Sequence, residues 1–383
     1  MKQAPETPVA GFALPASGQR SATGYSVCMG ASESPAESFD VLVVGAGPTG
    51  MACAIEAQRA GFRSVLIDKG CLCNSLFHYP AHMTFFTTSE LLEIGDIPFP
   101  SPNAKPSRNE ALEYYRKVAM HYKLDVRQYH RVEQVTGSDL DFTIRTTDTF
   151  GRPHSFATRK VVVATGYYDL PNLMNIPGED LPKVQHYYND PHPYYAQEVL
   201  VIGGRNSAAI AALELWRHGA RVTLVHRGPA LHRHVKYWIL PDIENRIRNG
   251  EITAHFNTAV TRIDPDTVTL QTAPGGLARL IPGRQDSGTR VLKNDAVLAM
   301  TGYRPDFEFL RSLGVRIEGE NRCPACDPQS LESNIPGIYL AGVIVAGDRT
   351  SEIFIENGRF HGRQIASDLR VKLMSSAPEL SRV

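Results

Sequence analysis

Cysteine is scarce in this chain: six residues, at positions 28, 53, 71, 73, 323 and 326, in a length of 383. So few thiols exclude a disulfide-stapled scaffold. They fit a reducing, cytoplasmic setting, where closely spaced cysteines are redox or metal candidates. Long apolar runs are lacking too, and no stretch approaches the ~20 residues that a membrane-spanning helix needs. Neither charge sign is in excess, with 40 Lys plus Arg against 40 Asp plus Glu. That balance gives no global electrostatic reason to bind nucleic acid or an anionic membrane. The first 38 residues are rich in Ser, Ala, Pro and Gly and lack an apolar h-region. They read as a disordered tail rather than a secretion signal, and Met29 would open a sensible shorter chain. No metal site is expected, because the CxxC at Cys323–Cys326 has no second pair of ligands.

What is present suits two domains, each able to bury its own core. The run FDVLVV at 39–44 is almost wholly apolar, as expected for a strand covered on both faces of a parallel sheet. Gly45-x-Gly47-x-x-Gly50 follows at once, then a helical stretch to Ala60, then the strand SVLIDKG carrying Asp68. Strand, loop, helix, strand and acid in that order form a dinucleotide-binding unit. Gly45 permits the tight turn, Gly47 lets backbone approach a pyrophosphate, and Gly50 lets helix and strand pack closely. Pro48 and Thr49 open the helix whose N-terminus faces the phosphates, and Asp68, followed by Lys69, can accept from ribose hydroxyls.

A second unit begins at Glu198, as EVLVIGGRNSAAIAALELWRHGARVTLVHRG. Its loop is Gly203-Gly204-Arg205-Asn206-Ser207-Ala208, with Arg205 at the middle glycine position and Ala208 as the packing substitute for the third. His226 and Arg227 stand where the first unit has its acid. A carboxylate there would repel a 2′-phosphate and an arginine can bind one, so this site is expected to prefer NADP(H). Two nucleotide sites of different charge imply a flavin on one and a nicotinamide on the other. Apart from these two units there is no internal repeat, and Ala273–Gly288 reads as a surface excursion.

Three further apolar strands end in small turns: KVVVATG at 160–166 with Thr165 and Gly166, DAVLAMTG at 295–302 with Gly302, and IYLAG at 338–342 with Gly342. With the two loops they resemble the two-dinucleotide flavoprotein reductases of the low-molecular-weight thioredoxin-reductase-like group. Within it, VVGAGPTG, NSLFHYPAHMTFFTTSELLEIGDIPF, GGRNSA and AGVIVAGDRTSEIFIENGRFHG resemble the bacillithiol disulfide reductase family over residues 39 to about 370. The resemblance implies an α/β fold of two Rossmann-like domains, with an FAD domain at 39–190 and 306–383 and an NADPH domain inserted at 191–305. It also implies FAD, NADPH, reduction of a small disulfide, and a cytoplasmic homo-oligomer. The flavin would lie on the first loop, Thr165–Gly166, Gly342 and Ile353, with Tyr79 and His82 close to it and His82 able to donate a proton. His361 is a second candidate for that task.

Departures from the pattern matter. Residues 199–302 contain no cysteine, which excludes the dithiol chemistry of thioredoxin reductases proper. Thr49 stands where the resembled family generally has a cysteine; the closing segment reads AGV, with Val343 where thioredoxin reductases have the Asp of AGD, a change the resembled family shares. A thioredoxin-reductase-like ferredoxin or flavodoxin NADP reductase, with a small redox protein as acceptor, therefore remains open, as does a flavin-binding redox sensor without turnover. Cys53, on the first turn of the loop helix, is either a thiolate favoured by the helix N-terminus or a small packing residue. Cys71 and Cys73 are either a reactive pair or two loop thiols without a role. Pro191-His192-Pro193 with Tyr194-Tyr195, and the region of Pro305, read as links between the two blocks.

Overall fold

The computed structural model describes residues 37–273 and 288–374. The expected tail lies outside these residues except for Glu37 and Ser38, which open the first strand, and the excursion lies outside them except for its end residues Ala273 and Gly288.

The first block begins with β1 (Glu37–Val44), α1 (Pro48–Arg59) and β2 (Ser64–Ile67). Pro48 sits at the first helical position, where its missing N–H costs nothing. A short helix α2 (Asn74–Phe77) follows, and then α3 (Arg108–His121), which starts in a capping box between Ser107 and Glu110. Next come β3 (Val126–Arg127), β4 (His130–Ser138), β5 (Asp141–Asp148) and β6 (Pro153–Val163). These make one sheet in the order β3-β2-β1-β6-β5-β4, parallel from β3 to β6 and antiparallel beyond. The central strands are apolar on both faces because both are covered, on one side by α1 and α3 and on the other by Phe307, Leu310 and their neighbours.

Two short strands, β7 (Leu170–Pro171) and β8 (Val184–Gln185), lead into the second block. There β9 (Glu198–Ile202), α4 (Asn206–Arg217), β10 (Arg221–Val225), α5 (Leu240–Arg248) and β11 (Thr253–His255) repeat the strand–helix–strand plan. An antiparallel trio follows, β12 (Thr258–Ile263), β13 (Thr267–Thr272) and β14 (Thr289–Lys293), and then β15 (Ala296–Ala299). The parallel sheet of this block runs β11-β10-β9-β15-β8. The chain returns through β16 (Tyr303–Arg304) and α6 (Phe307–Ser312), the ribbon β17 (Ile317–Glu318) and β18 (Cys323–Pro324), and β19 (Ile338–Leu340), which pairs with β6 of the first sheet. Helices α7 (Ile355–Gly358) and α8 (His361–Met374) finish it, with Gly362 of α8 so close to α1 that a Cβ there would lie 2.7 Å from the Ala52 carbonyl oxygen.

The entry link lies elsewhere than the sequence indicates, whereas the return falls beside Pro305. Because β8 already pairs with β15, the second block is entered ahead of residue 191. Tyr188 and Tyr194 are buried in its core, and Pro191–Tyr195 forms a short 3-10 turn rather than an open link. The true crossings are β7 and β16, which pair antiparallel, Tyr303 with Pro171 and Arg304 with Leu170. Prolines next to tyrosines resemble a linker in composition, yet here the Tyr194 ring is a core residue and Tyr195 is exposed.

Among the described residues one core position is charged. Lys160 of β6 is fully buried, and its Nζ donates to Asp139 Oδ1 at 2.6 Å.

Candidate active site

The first glycine loop is shaped by close approaches. Gly45 has φ +110°, and a Cβ there would lie 2.4 Å from the Ala164 carbonyl oxygen; at Gly50 it would lie 2.0 Å from the Gly45 carbonyl oxygen. Gly47 differs. Its φ is −76°, which any residue adopts, and a Cβ would meet nothing within 4 Å. The protein itself has no need of glycine at 47, so the open space above it is where a ligand would come close to backbone. The α1 N-terminus beside it has no side-chain cap and no acidic residue in its first turn, which leaves its N–H groups to an anion.

Asp68 stands next to this loop. Its Oδ2 accepts from Ala46 N and its Oδ1 from Gly70 N, each at 2.8 Å. Burial raises its pKa, and those two N–H bonds oppose the rise. Lys69 reaches the other way, to Asp169 at 2.9 Å. Thr165 and Gly166 follow β6 and meet the loop from the neighbouring strand, with Thr165 N 3.2 Å from a Cβ on Gly45. Thr49 touches the returning segment: Cβ atoms on Gly342 and Gly358 would lie 3.3 and 3.1 Å from its hydroxyl, and Ile353 lines the same contact. The structure therefore brings Gly45, Gly47, Pro48, Thr49, Gly50, Asp68, Thr165, Gly166, Gly342 and Ile353 to one place.

His361 joins them. Its Nδ1 accepts from Gly342 N at 3.0 Å, so Nδ1 is unprotonated and the ring hydrogen is on Nε2. Burial lowers its pKa, in keeping with a neutral ring. His82, by contrast, is 68% exposed and faces Asp190 at 3.5 Å. Tyr79 is half-buried, edge-on to Tyr168 at 4.8 Å, and burial keeps its phenol protonated. Tyr168, Tyr187 and Tyr303 continue this pile, with centroids 4.3 to 5.3 Å apart, across both crossings. Sequence reasoning missed the pile because its members lie far apart in the chain.

The thiolate reading of Cys53 is corrected. The side chain is buried under α8, and burial, helped by Glu56, pushes its thiol up to about 12. Desolvation outweighs the helix N-terminus, so Cys53 packs. Cys73 is also buried with its thiol raised, and its Sγ lies 3.9 Å from Met51 Sδ; Cys71 is partly exposed and raised by burial and by Asp68.

The second loop follows the same plan with different electrostatics. Gly203 has φ +146°, and a Cβ there would lie 2.6 Å from the Met300 carbonyl oxygen and 2.9 Å from Ala208 Cβ. A Cβ on Gly204 would lie 2.6 Å from the ring of His226, which also covers Gly228. Arg205 is the N-cap position of α4, and Ser207 lies in its first turn. The Asn206 side chain is engaged within the protein, accepting from Lys236 N at 2.9 Å and donating to the His234 carbonyl at 3.2 Å. This draws His232, Arg233, His234 and Lys236 beside Arg205 and Arg227. His226 has its pKa lowered by burial, Arg227 and His232, and His232 by burial, Arg205, His234 and Arg233. Gly302 sits at the crossing, where its carbonyl accepts from Asn172 N at 2.9 Å.

Two sheets, each with parallel strands leading into a glycine loop, one loop bordered by an acid and the other by a basic cluster, define a two-dinucleotide oxidoreductase. The chain belongs to the pyridine nucleotide-disulphide oxidoreductase family, whose model matches residues 42–342. It is 43% identical to the bacilliredoxin reductase Bdr of Bacillus subtilis (strain 168), covering 86% of this chain and 96% of that one. Among solved structures it is similar to the bacillithiol disulfide reductases Bdr of Bacillus cereus (44% identity, TM-score 0.83, 88% of this chain and 100% of that one) and Staphylococcus aureus (40%, 0.81, 88% and 99%). The thioredoxin-reductase-like fold and the flavin-dependent oxidoreductase class stand as expected, with a flavin and a nicotinamide as the family's cofactors. Among the described residues no helix is long and apolar enough to cross a membrane, and no group of metal-ligating side chains is present.

Proposed function

We propose that this chain is a cytoplasmic, homo-oligomeric reductase that uses NADPH and FAD to reduce a low-molecular-weight disulfide of the bacillithiol type. The similarity at 44% and 40% identity, along nearly the whole length of two solved reductases named for that disulfide, carries the reading. The first loop fits FAD: the open approach at Gly47 and the uncapped α1 N-terminus suit a pyrophosphate, and Asp68 suits a ribose. The second loop fits NADPH, since Arg227 with Arg205 can hold a 2′-phosphate. When bound, the flavin supplies the two-electron chemistry.

The chain's own residues do the remaining work. The α1 N-terminus and loop N–H groups fix the anion, Thr49 and Gly342 bring the returning segment down on the loop, and neutral His361 holds the Gly342 N–H in place. Thr49 is in the first loop, and the described thiols beside that loop, Cys53 and Cys73, are buried with their pKa raised, which disfavours a part for them in the exchange. Protonation of the departing thiolate falls to a group at the site rim, for which His82 is suited by its exposure and its partner Asp190.

The test is turnover of NADPH by the purified yellow protein with bacillithiol disulfide, with ferredoxin as the alternative acceptor. Turnover with ferredoxin alone would refute the disulfide reading and leave the flavin and nicotinamide sites standing.

A further inference from the structure

Cys323 and Cys326 belong to neither glycine-loop site. Cys323 opens β18 opposite Glu318 of β17, and Cys326 bridges to Ser333. Both are free and half-buried, and both line an open groove of about 450 Å³ together with Arg316, Glu318, Asp327 and Glu332. That volume falls within the range of small-ligand sites, roughly 300–1,000 Å³, and the charged walls suit a polar ligand.

The Cys323 sulfur has definite partners. Arg349 Nη2 donates to it at 3.8 Å, and the thiol donates to the Ala346 carbonyl at 3.6 Å. Ala346 ends the 3-10 turn Gly342–Ala346, whose first residue closes over the flavin-side loop. Arg322, next to Cys323, makes a two-pronged contact with Asp348 at 2.6 and 2.7 Å. The cysteine strand is thus fastened to the segment that completes the first site. The Cys326 thiol has its pKa raised by burial, by Asp327 and by Cys323.

We propose that Cys323 and Cys326 form a second thiol–disulfide exchange site, apart from the flavin loop, that accepts low-molecular-weight disulfides. Cys323 gives its proton to solvent and its sulfur attacks one sulfur of the disulfide RSSR. The RS–SR bond breaks, a Cys323–S–S–R bond forms, and RS⁻ leaves to take a proton from water. Cys323 is oxidised and the departing thiol is reduced, so no other oxidant is needed. Arg349 lies against the sulfur on which negative charge appears in this step. Cys326 then displaces the remaining RS⁻, giving a Cys323–Cys326 disulfide and a second RSH.

The described state is the dithiol. Cys323 lies in the β17–β18 pairing and Cys326 in the bridge to Ser333, so joining their sulfurs acts on both pairings. The mixed disulfide on Cys323 is the intermediate that accumulates first.

The test exposes the reduced, flavin-loaded full chain to excess cystine without NADPH, followed by alkylation and peptide mass spectrometry. A half-cystine adduct on Cys323 should appear first and give way to a linked Cys323–Cys326 peptide. Cys326→Ser should stop at the adduct, Cys323→Ser should give neither product, and Arg349→Gln should slow adduct formation by about tenfold. Two unmodified, fully alkylated cysteines after treatment would overturn the proposal. So would an adduct forming on Cys326 of the Cys323→Ser variant as fast as the first adduct forms on the unaltered chain. Bleaching of the flavin by NADPH, expected to be unchanged in both serine variants, reads the first site separately, so either conclusion can fail without the other.

Discussion

Substituting two glycines of one loop with alanine separates folding from cofactor binding. At Gly47 the backbone is already in a conformation alanine favours, and the new methyl meets no protein atom within 4 Å. The apo stability of Gly47→Ala should stay within about 1 kcal/mol of the parent, because the entropy removed from the unfolded chain and the weaker N-cap preference of alanine nearly offset each other. The methyl does, however, occupy the approach to the loop N–H groups. A phosphate oxygen held there sits about 3 Å from nitrogen, and losing two charge-assisted bonds of about 1.5 kcal/mol each removes about 3 kcal/mol. That is a loss of flavin affinity of about a hundredfold. Gly45→Ala should do the reverse. Its φ of +110° and a Cβ 2.4 Å from the Ala164 carbonyl oxygen should cost about 3 kcal/mol of stability and lower Tm by several degrees. The assays are flavin content of the purified proteins, titration of apoprotein with FAD, and thermal melting without flavin. A Gly47→Ala protein that melts normally and binds FAD as tightly as the parent would refute the placement of the pyrophosphate.

Other outcomes follow from the same geometry. Arg227→Ala should raise KM for NADPH about 10- to 100-fold while leaving NADH unaffected, as steady-state kinetics would show. His361 has a lowered pKa in the folded protein, so its contribution to stability is full above the unfolded value of about 6.5 and is lost as pH falls below it. His361→Gln should flatten the acid side of a Tm-against-pH curve between pH 7.5 and 5.5. Asp139→Ala strands the buried Lys160 ammonium and should cost about 3 kcal/mol in urea denaturation, most of which Lys160→Met in the same chain should restore.

The two βαβ units were legible because their chemistry is local. Strand, glycine turn and helix occupy consecutive residues, and the apolar run of 39–44 can be read directly as a doubly covered strand. The basic character of the second loop was legible at His226 and Arg227, but not the contribution of His232 to Lys236, which arrive through the Asn206 side chain. The entry link was misplaced because Pro191 and Pro193 mark composition, whereas β7 is two residues long and carries no periodic signal. Cys53 illustrates competing terms. Its place in the helix favours a thiolate, but α8 arrives from more than 300 positions later in the sequence and dries the site. The role of His361 depended on a contact with Gly342 that no spacing rule anticipates.

The pairing of β7 with β16 has a consequence for how this chain could be taken apart. Asn172 N and the Gly302 carbonyl are 2.9 Å apart, so the path into the second block and the path out of it stand side by side. Everything between them is in effect a cassette joined to the first block through that crossing, with further contacts at Ala81–Asn189, His82–Asp190 and Phe86–Trp238. Cutting at those two residues and joining the ends with a short turn asks the remaining backbone to move very little. A nicotinamide-binding cassette could in the same way be exchanged for another whose ends lie equally close, leaving the flavin-side sheet and its closing segment undisturbed.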